Sequence, residues 1–153
     1  MLQERGSFGR RGFSVLETLT ALSIGVVLVS LSVRASTPVR ENVAVQSADQ
    51  AFRGMLARAR SQAIERGENA VLHLDAGGDS VWIERGNQVV EGFRFDHELG
   101  VDVQTAGSVD LCMTPRGTAD PTCGTGTVMT IRFQRGAASS ALQVLPLGQI
   151  IGT

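Results

Sequence analysis

The sequence predicts an α+β protein, with one long N-terminal helix followed by a small antiparallel β domain packed on its distal half. Three observations carry that expectation. Residues 18–33 form an apolar run without a single charge. Behind it, Ala48, Phe52, Met55, Ala59 and Ala63 recur at three- and four-residue spacing, the period of a helix with one buried stripe. From Asn69 onward the apolar period falls to two, as in half-buried strands.

Taken in order, residues 1–12 read as a basic leader rather than as structure, with Arg5, Arg10 and Arg11 against Glu4. Residues 13–36 read as the membrane-spanning start of the helix. The 21 residues from Phe13 to Val33 would rise about 31 Å as a helix, close to the ~30 Å hydrocarbon core of a bilayer. The arginines on the N-terminal side predict a single pass with that end cytoplasmic and the remainder exported. Glu17 is the anomaly, because a carboxylate inside such a segment costs on the order of 3 kcal/mol and needs a partner or a function.

Thr37-Pro38 interrupts the pattern and predicts a kink, since proline removes a helical hydrogen bond. The distal helix, 37–67, resumes with Ala51, Leu56 and Ile64 widening the apolar stripe and Gly67 as its C-cap. The β domain, 68–153, offers strands at 71–74, 81–83, 88–95, 101–103, 109–112, 128–134 and 141–145. Residues 75–79 read as the first hairpin connection. Gly148 sets off a brief tail, Gln149-Ile150-Ile151.

Composition narrows the function. All 14 basic residues are arginine, and beyond Pro38 ten of them face thirteen acids, a net of −3. That balance gives no support to broad electrostatic binding of nucleic acid, which needs a cationic face. Cys112 and Cys123 flank a Pro/Gly-rich loop. If the domain lies outside the cytoplasm, they are expected to form a disulfide. A metal site or redox pair is the rival, disfavoured by the absence of a close CxxC and of a nearby histidine.

No enzyme motif is present: neither GxSxG, a P-loop nor HExxH occurs. His73, on a predicted strand opposite the apolar positions, is expected to face solvent. Asp96-His97-Glu98 reads as a solvated charge cluster in a loop-like stretch. Asp75 and Asp79 lack the ligand count and spacing of a calcium loop and read as a turn. The expectation is a protein that is not an enzyme and uses no cofactor.

The stretch Arg10-Arg11-Gly12-Phe13-Ser14-Val15-Leu16-Glu17, with the apolar run behind it, resembles a type IV prepilin signal. The resemblance implies cleavage after Gly12 by a membrane-embedded prepilin peptidase and N-methylation of Phe13. It also implies an assembly role for Glu17, whose carboxylate would neutralise the α-amine of a neighbouring subunit. An ordinary secretory signal cut near Val33-Arg34-Ala35, or an uncleaved anchor, leaves Glu17 unexplained.

Within the pilin-like proteins, Leu56-Ala57-Arg58-Ala59-Arg60-Ser61-Gln62-Ala63-Ile64, the Leu111–Gly117 strand with its Pro and Gly, and Leu145-Pro146-Leu147-Gly148 are similar to the GspH/FimT family. This similarity spans nearly the whole chain. It implies a pilin-like fold and a minor pilin or minor pseudopilin of a type IV pilus or a type II secretion system. Such a subunit would sit in the inner membrane with its C-terminal domain periplasmic, and would join other pilin subunits at a filament tip. The alternative is a FimT-like, DNA-binding minor pilin for natural transformation. Its remaining support is a weak nucleic-acid patch of Arg116, Arg132 and Arg135, because the tail 149–153 has no charge.

Overall fold

The computed structural model describes residues 14–124 and 128–152, with residues 31–36 described as backbone only. The leader 1–12 and Phe13 lie outside the described residues, and so do the cleavage and methylation expected there. The chain divides into two units, Met1–Thr37 and Pro38–Thr153, each considered by itself below. Helix α1 (Val15–Arg66) contributes to both and contains Pro38.

In the first unit the described helix exposes apolar side chains on every side. Leu16, Leu19, Leu22, Ile24, Val26, Val27 and Val29 are all more than half exposed. Among the described residues, no helix is long and apolar enough to cross a membrane.

The second unit is α+β. Two four-stranded antiparallel sheets pack with the 38–66 portion of α1 around one core. The first sheet has the order β3 (Gln88–Arg94), β2 (Ser80–Arg85), β1 (Ala70–Asp75), β5 (Val109–Met113). The second runs β4 (Asp102–Gln104), β6 (Met129–Arg135), β7 (Ala138–Val144), β8 (Ile150–Gly152). A one-and-a-half-turn helix, α2 (Phe95–Leu99), connects the end of β3 to β4.

Helix α1 buries Ala44, Val45, Ala48, Phe52, Met55, Leu56, Ala59 and Ala63. The alanines let the helix backbone approach the sheets closely, and Phe52 supplies the bulk between them. Its ring stands 6.3 Å from Phe133 of β6, which lies 5.3 Å from Phe95, itself 5.1 Å from Phe93 of β3. Strand alternation supplies the rest: Ala70, Leu72 and Leu74, then Val81 and Ile83, then Ile131 and Phe133 point inward. Gly67 ends the helix in the left-handed region with φ 68°, its N–H donating to Ala63 O at 3.0 Å.

The connections explain the registers. Gly86 and Asn87 both have positive φ, as a two-residue type I′ hairpin requires, and they join β2 to β3. Gly136-Ala137 joins β6 to β7, where the Glu41 carboxylate of α1 accepts the Ala137 N–H at 3.2 Å. Its φ of 56° calls for glycine at position 136, and a Cβ there would also displace the Glu41 carboxylate.

Three local expectations change. Asp96-His97-Glu98 lies in α2, because the buried Phe95 pins the segment to the core and Gly100 caps it in the left-handed region. The final strand pairing with β6 begins at Ala138, three residues earlier than the apolar pattern suggested. The tail is a strand, β8, paired to β7 through Leu142↔Gly152, Gln143↔Ile151 and Val144↔Ile150.

Phe52→Ala should cost the domain about 3–5 kcal/mol, the usual loss for emptying a buried aromatic site. Urea unfolding of the detergent-solubilised chain checks this, and an unchanged midpoint would remove Phe52 from its central place in the core.

Candidate functional site

Glu17 lies in the first turn of α1 and is exposed, surrounded by Leu16, Leu19 and the other apolar side chains of the run. The hydroxyls in this stretch turn back on their own helix. Thr18 Oγ1 donates to Val15 O at 2.8 Å, Thr20 Oγ1 to Glu17 O at 2.9 Å, Ser23 Oγ to Leu19 O at 2.7 Å and Ser30 Oγ to Val27 O at 2.8 Å. A hydroxyl satisfied this way needs no water, so these side chains can enter an apolar environment without an orphaned donor. Among the described residues, none gives the Glu17 carboxylate such a bond. Glu17 is the only ionisable side chain described between residues 14 and 30.

Cys112 and Cys123 form a disulfide, with Cα atoms 5.8 Å apart. Cys112 is buried on β5 while Cys123 is exposed. The loop between them folds back along the β5 edge: Asp120 N–H donates to Cys112 O at 2.8 Å, and Met113 bridges to Ala119. Asp120 Oδ1 accepts the Thr122 hydroxyl at 2.6 Å and the Thr122 N–H at 2.8 Å. Those two bonds, the hydroxyl's first, hold its carboxyl below the usual aspartate value. Beyond the bridge, a Cβ at Gly124 would stand 2.5 Å from the Asp110 carbonyl oxygen, so only glycine permits this approach.

The loop also reaches the chain's last turn. Ala119 N–H donates to Leu147 O at 3.2 Å, and Gly148, at φ 78°, packs so closely against Met113 and Ala119 that a side chain there would displace the Met113 methyl. From the other side, Arg60 Nη2 donates to Gly148 O at 3.1 Å. Helix, disulfide loop and the Leu145–Gln149 turn are therefore fastened at one glycine. Nothing in residue type or spacing announces this tie; only the Pro-Leu-Gly turn hinted at it.

The three arginines of the expected patch occupy different settings. Arg116 is exposed in the disulfide loop and Arg132 is exposed on β6, opposite Gln104 and Ala141. Arg135 is half-buried, its Nη1 donating to the Leu99 carbonyl at the end of α2. It serves as a brace for that helix.

His73 is half-buried rather than open to solvent. Its ring stacks on Trp82 at 5.1 Å, with Asp110 Oδ1 2.7 Å from Nδ1 and Glu84 Oε2 3.3 Å from Nε2. Cross-strand pairing explains the cluster, since Trp82 and Asp110 are its direct neighbours on β2 and β5. The carboxylates engage opposite nitrogens of the ring and so do not converge on one point. Among the described residues, no group of three His, Cys, Asp or Glu side chains could hold a metal ion. Asp75 and Asp79 hold the first hairpin: Asp75 accepts the Gly77 N–H at 3.0 Å, and Asp79 accepts the Val103 N–H, tying the turn to β4.

Comparison with solved structures finds the same fold in a minor pilin and in a minor pseudopilin. The chain is similar to the type IV minor pilin FimU of Pseudomonas aeruginosa, with 17% identity over 71% of this chain and 87% of that one, at a TM-score of 0.52. A second crystal form of FimU gives 16% identity, 71% and 91% coverage, and a TM-score of 0.50. The minor pseudopilin EpsH from the type II secretion system of Vibrio cholerae gives 12% identity, 71% and 95% coverage, and a TM-score of 0.50. No protein-family model matches the chain, and no curated protein does. At these identities the likeness is one of fold, and the fold is pilin-like.

Replacing Cys112 and Cys123 together by alanine should cost roughly 2–3 kcal/mol, the loop entropy released into the unfolded chain. Denaturant unfolding measures it, and equal midpoints with and without the bridge would refute the assignment. Because the folded carboxyl of Asp120 titrates below its unfolded value, its contribution is full above the ordinary aspartate range and disappears as pH falls through the folded value. The Thr122 amide shift followed by NMR should accordingly titrate with a midpoint below that of an exposed aspartate. A midpoint at or above it would dissolve the cap.

Proposed function

We propose that the chain is a minor pilin or minor pseudopilin, a structural subunit that joins other pilin subunits at the tip of a filament and carries out no catalysis. One observation carries the reading: an apolar helix exposed on all sides, with its hydroxyls bonded internally and a single carboxylate near its start. Water is a poor solvent for that surface, and lipid or neighbouring helices are good ones. The pilin-like fold of the second unit is consistent with such a subunit.

On this reading the chain enters the inner membrane with its N-terminus cytoplasmic and its C-terminal domain in the periplasm. Prepilin peptidase cuts after Gly12 and methylates Phe13. Glu17 then neutralises the new α-amine of an adjacent subunit, since an ion pair is tolerated in lipid where a lone charge is not. The Cys112–Cys123 bridge suits an oxidising compartment. For the DNA-uptake alternative, the expected patch loses Arg135 to the Leu99 carbonyl, and β8 itself has no charged residue.

Mass spectrometry of the mature protein from native membranes tests the reading. The expected N-terminus is N-methylated Phe13. A start near Ser36 or an intact leader would overturn it.

A further inference from the structure

Strand β8 closes one side of the second sheet, and only β7 pairs with it among the described residues. Its outer edge therefore presents backbone donors and acceptors without a strand to meet them. Beside it, Arg53, Ala57 and Arg60 of α1 face Gly148 and Ile150 across a cleft of about 350 Å³. Ile151 is 49% exposed.

The cleft carries an excess of positive charge. Asp49 takes Arg53 Nε through both carboxylate oxygens at 3.1 Å, which leaves Arg53 Nη2 lying against Gly152. Arg60 gives one nitrogen to Gly148 O, while its Nε is buried without an acceptor. Among the described residues, these two guanidinium groups thus share one carboxylate and one carbonyl. The floor is held in place beforehand, because Gly148 is clamped between Arg60 and the disulfide loop.

Two chemical demands coincide here. A free sheet edge is satisfied by an extended polypeptide, and unsatisfied guanidinium groups by carboxylates. A phosphodiester strand would meet the second demand but not the first. We propose that the β8 edge and the Arg53–Arg60 cleft form a docking site for an extended, carboxylate-bearing segment of a partner protein, which adds a strand to β8. This goes beyond the filament reading and does not depend on it.

The test uses the full chain in detergent micelles and a fluorescein-labelled hexapeptide alternating valine and glutamate, followed by anisotropy and by NMR amide shifts. The glutamate peptide should bind and move the amides of residues 150–152, and its glutamine counterpart should bind at least about tenfold more weakly. Arg53→Glu should weaken the glutamate peptide by about tenfold and gain affinity for a lysine version, while the chain still unfolds cooperatively at a somewhat lower temperature because Asp49 loses its partner. If Arg53→Glu fails to fold, Arg53→Gln should show the same weakening. Absence of binding, indifference to these charges, or shifts confined to β3 would overturn the proposal. So would an oligothymidylate that binds in the peptide's place, or self-association of the chain that accounts for the signal.

Discussion

The second unit depends on a chain of phenylalanine rings. Phe52 comes from α1, Phe133 from the second sheet, Phe95 from α2 and Phe93 from the first sheet, and consecutive centroids lie 5.1–6.3 Å apart. Tilted and edge-on pairs of this kind contribute about 0.5–1.5 kcal/mol each beyond the area they bury. Their larger effect is geometric, since rings of fixed shape from four elements set the spacing between helix and sheets. The small residues follow from that spacing. Ala44, Ala48, Ala59 and Ala63 share the buried helix face with Val45, Met55 and Leu56, and bring the backbone close to the sheets where they stand.

The helix and most strands were legible because burial imposes a period. A stripe at three- and four-residue spacing can satisfy only a helix, and alternation from Asn69 only a strand. Where burial is irregular the pattern is silent. The α2 segment shows one buried residue, Phe95, among exposed charges, so its five residues carry no periodicity. Strand β8 is three residues long and exposed along most of its length, and its pairing with β7 is a tertiary fact. His73 obeyed its alternation by facing away from the core. Its partners came from two other strands, and no single stretch of sequence places Trp82, Glu84 and Asp110 around it.

Of the candidate site, the cysteine pairing was legible and the surfaces were not. Residue order is enough to mark Glu17 and the two cysteines, because a charge in an apolar run and a cysteine pair around Pro and Gly are local signals. The fastening at Gly148 joins residues from the helix, the disulfide loop and the final turn, and exists only once all three are packed. The same holds for the contrast between the two units. One displays apolar side chains and hides its hydroxyls; the other buries its apolar side chains and shows charge, so the two units ask for different surroundings.

The hydrogen bond from Ala137 to Glu41 spans 96 residues, and Phe52 reaches its ring partner almost as late. A ribosome adding about 5–20 residues per second completes the helix roughly 4–16 s before the hairpin that covers it. Throughout that interval the stripe of Val45, Phe52, Met55 and Leu56 has no β6 or β7 to meet. The domain cannot close as it emerges; it closes at the end, and until then its helix face must be shielded by something other than its own fold.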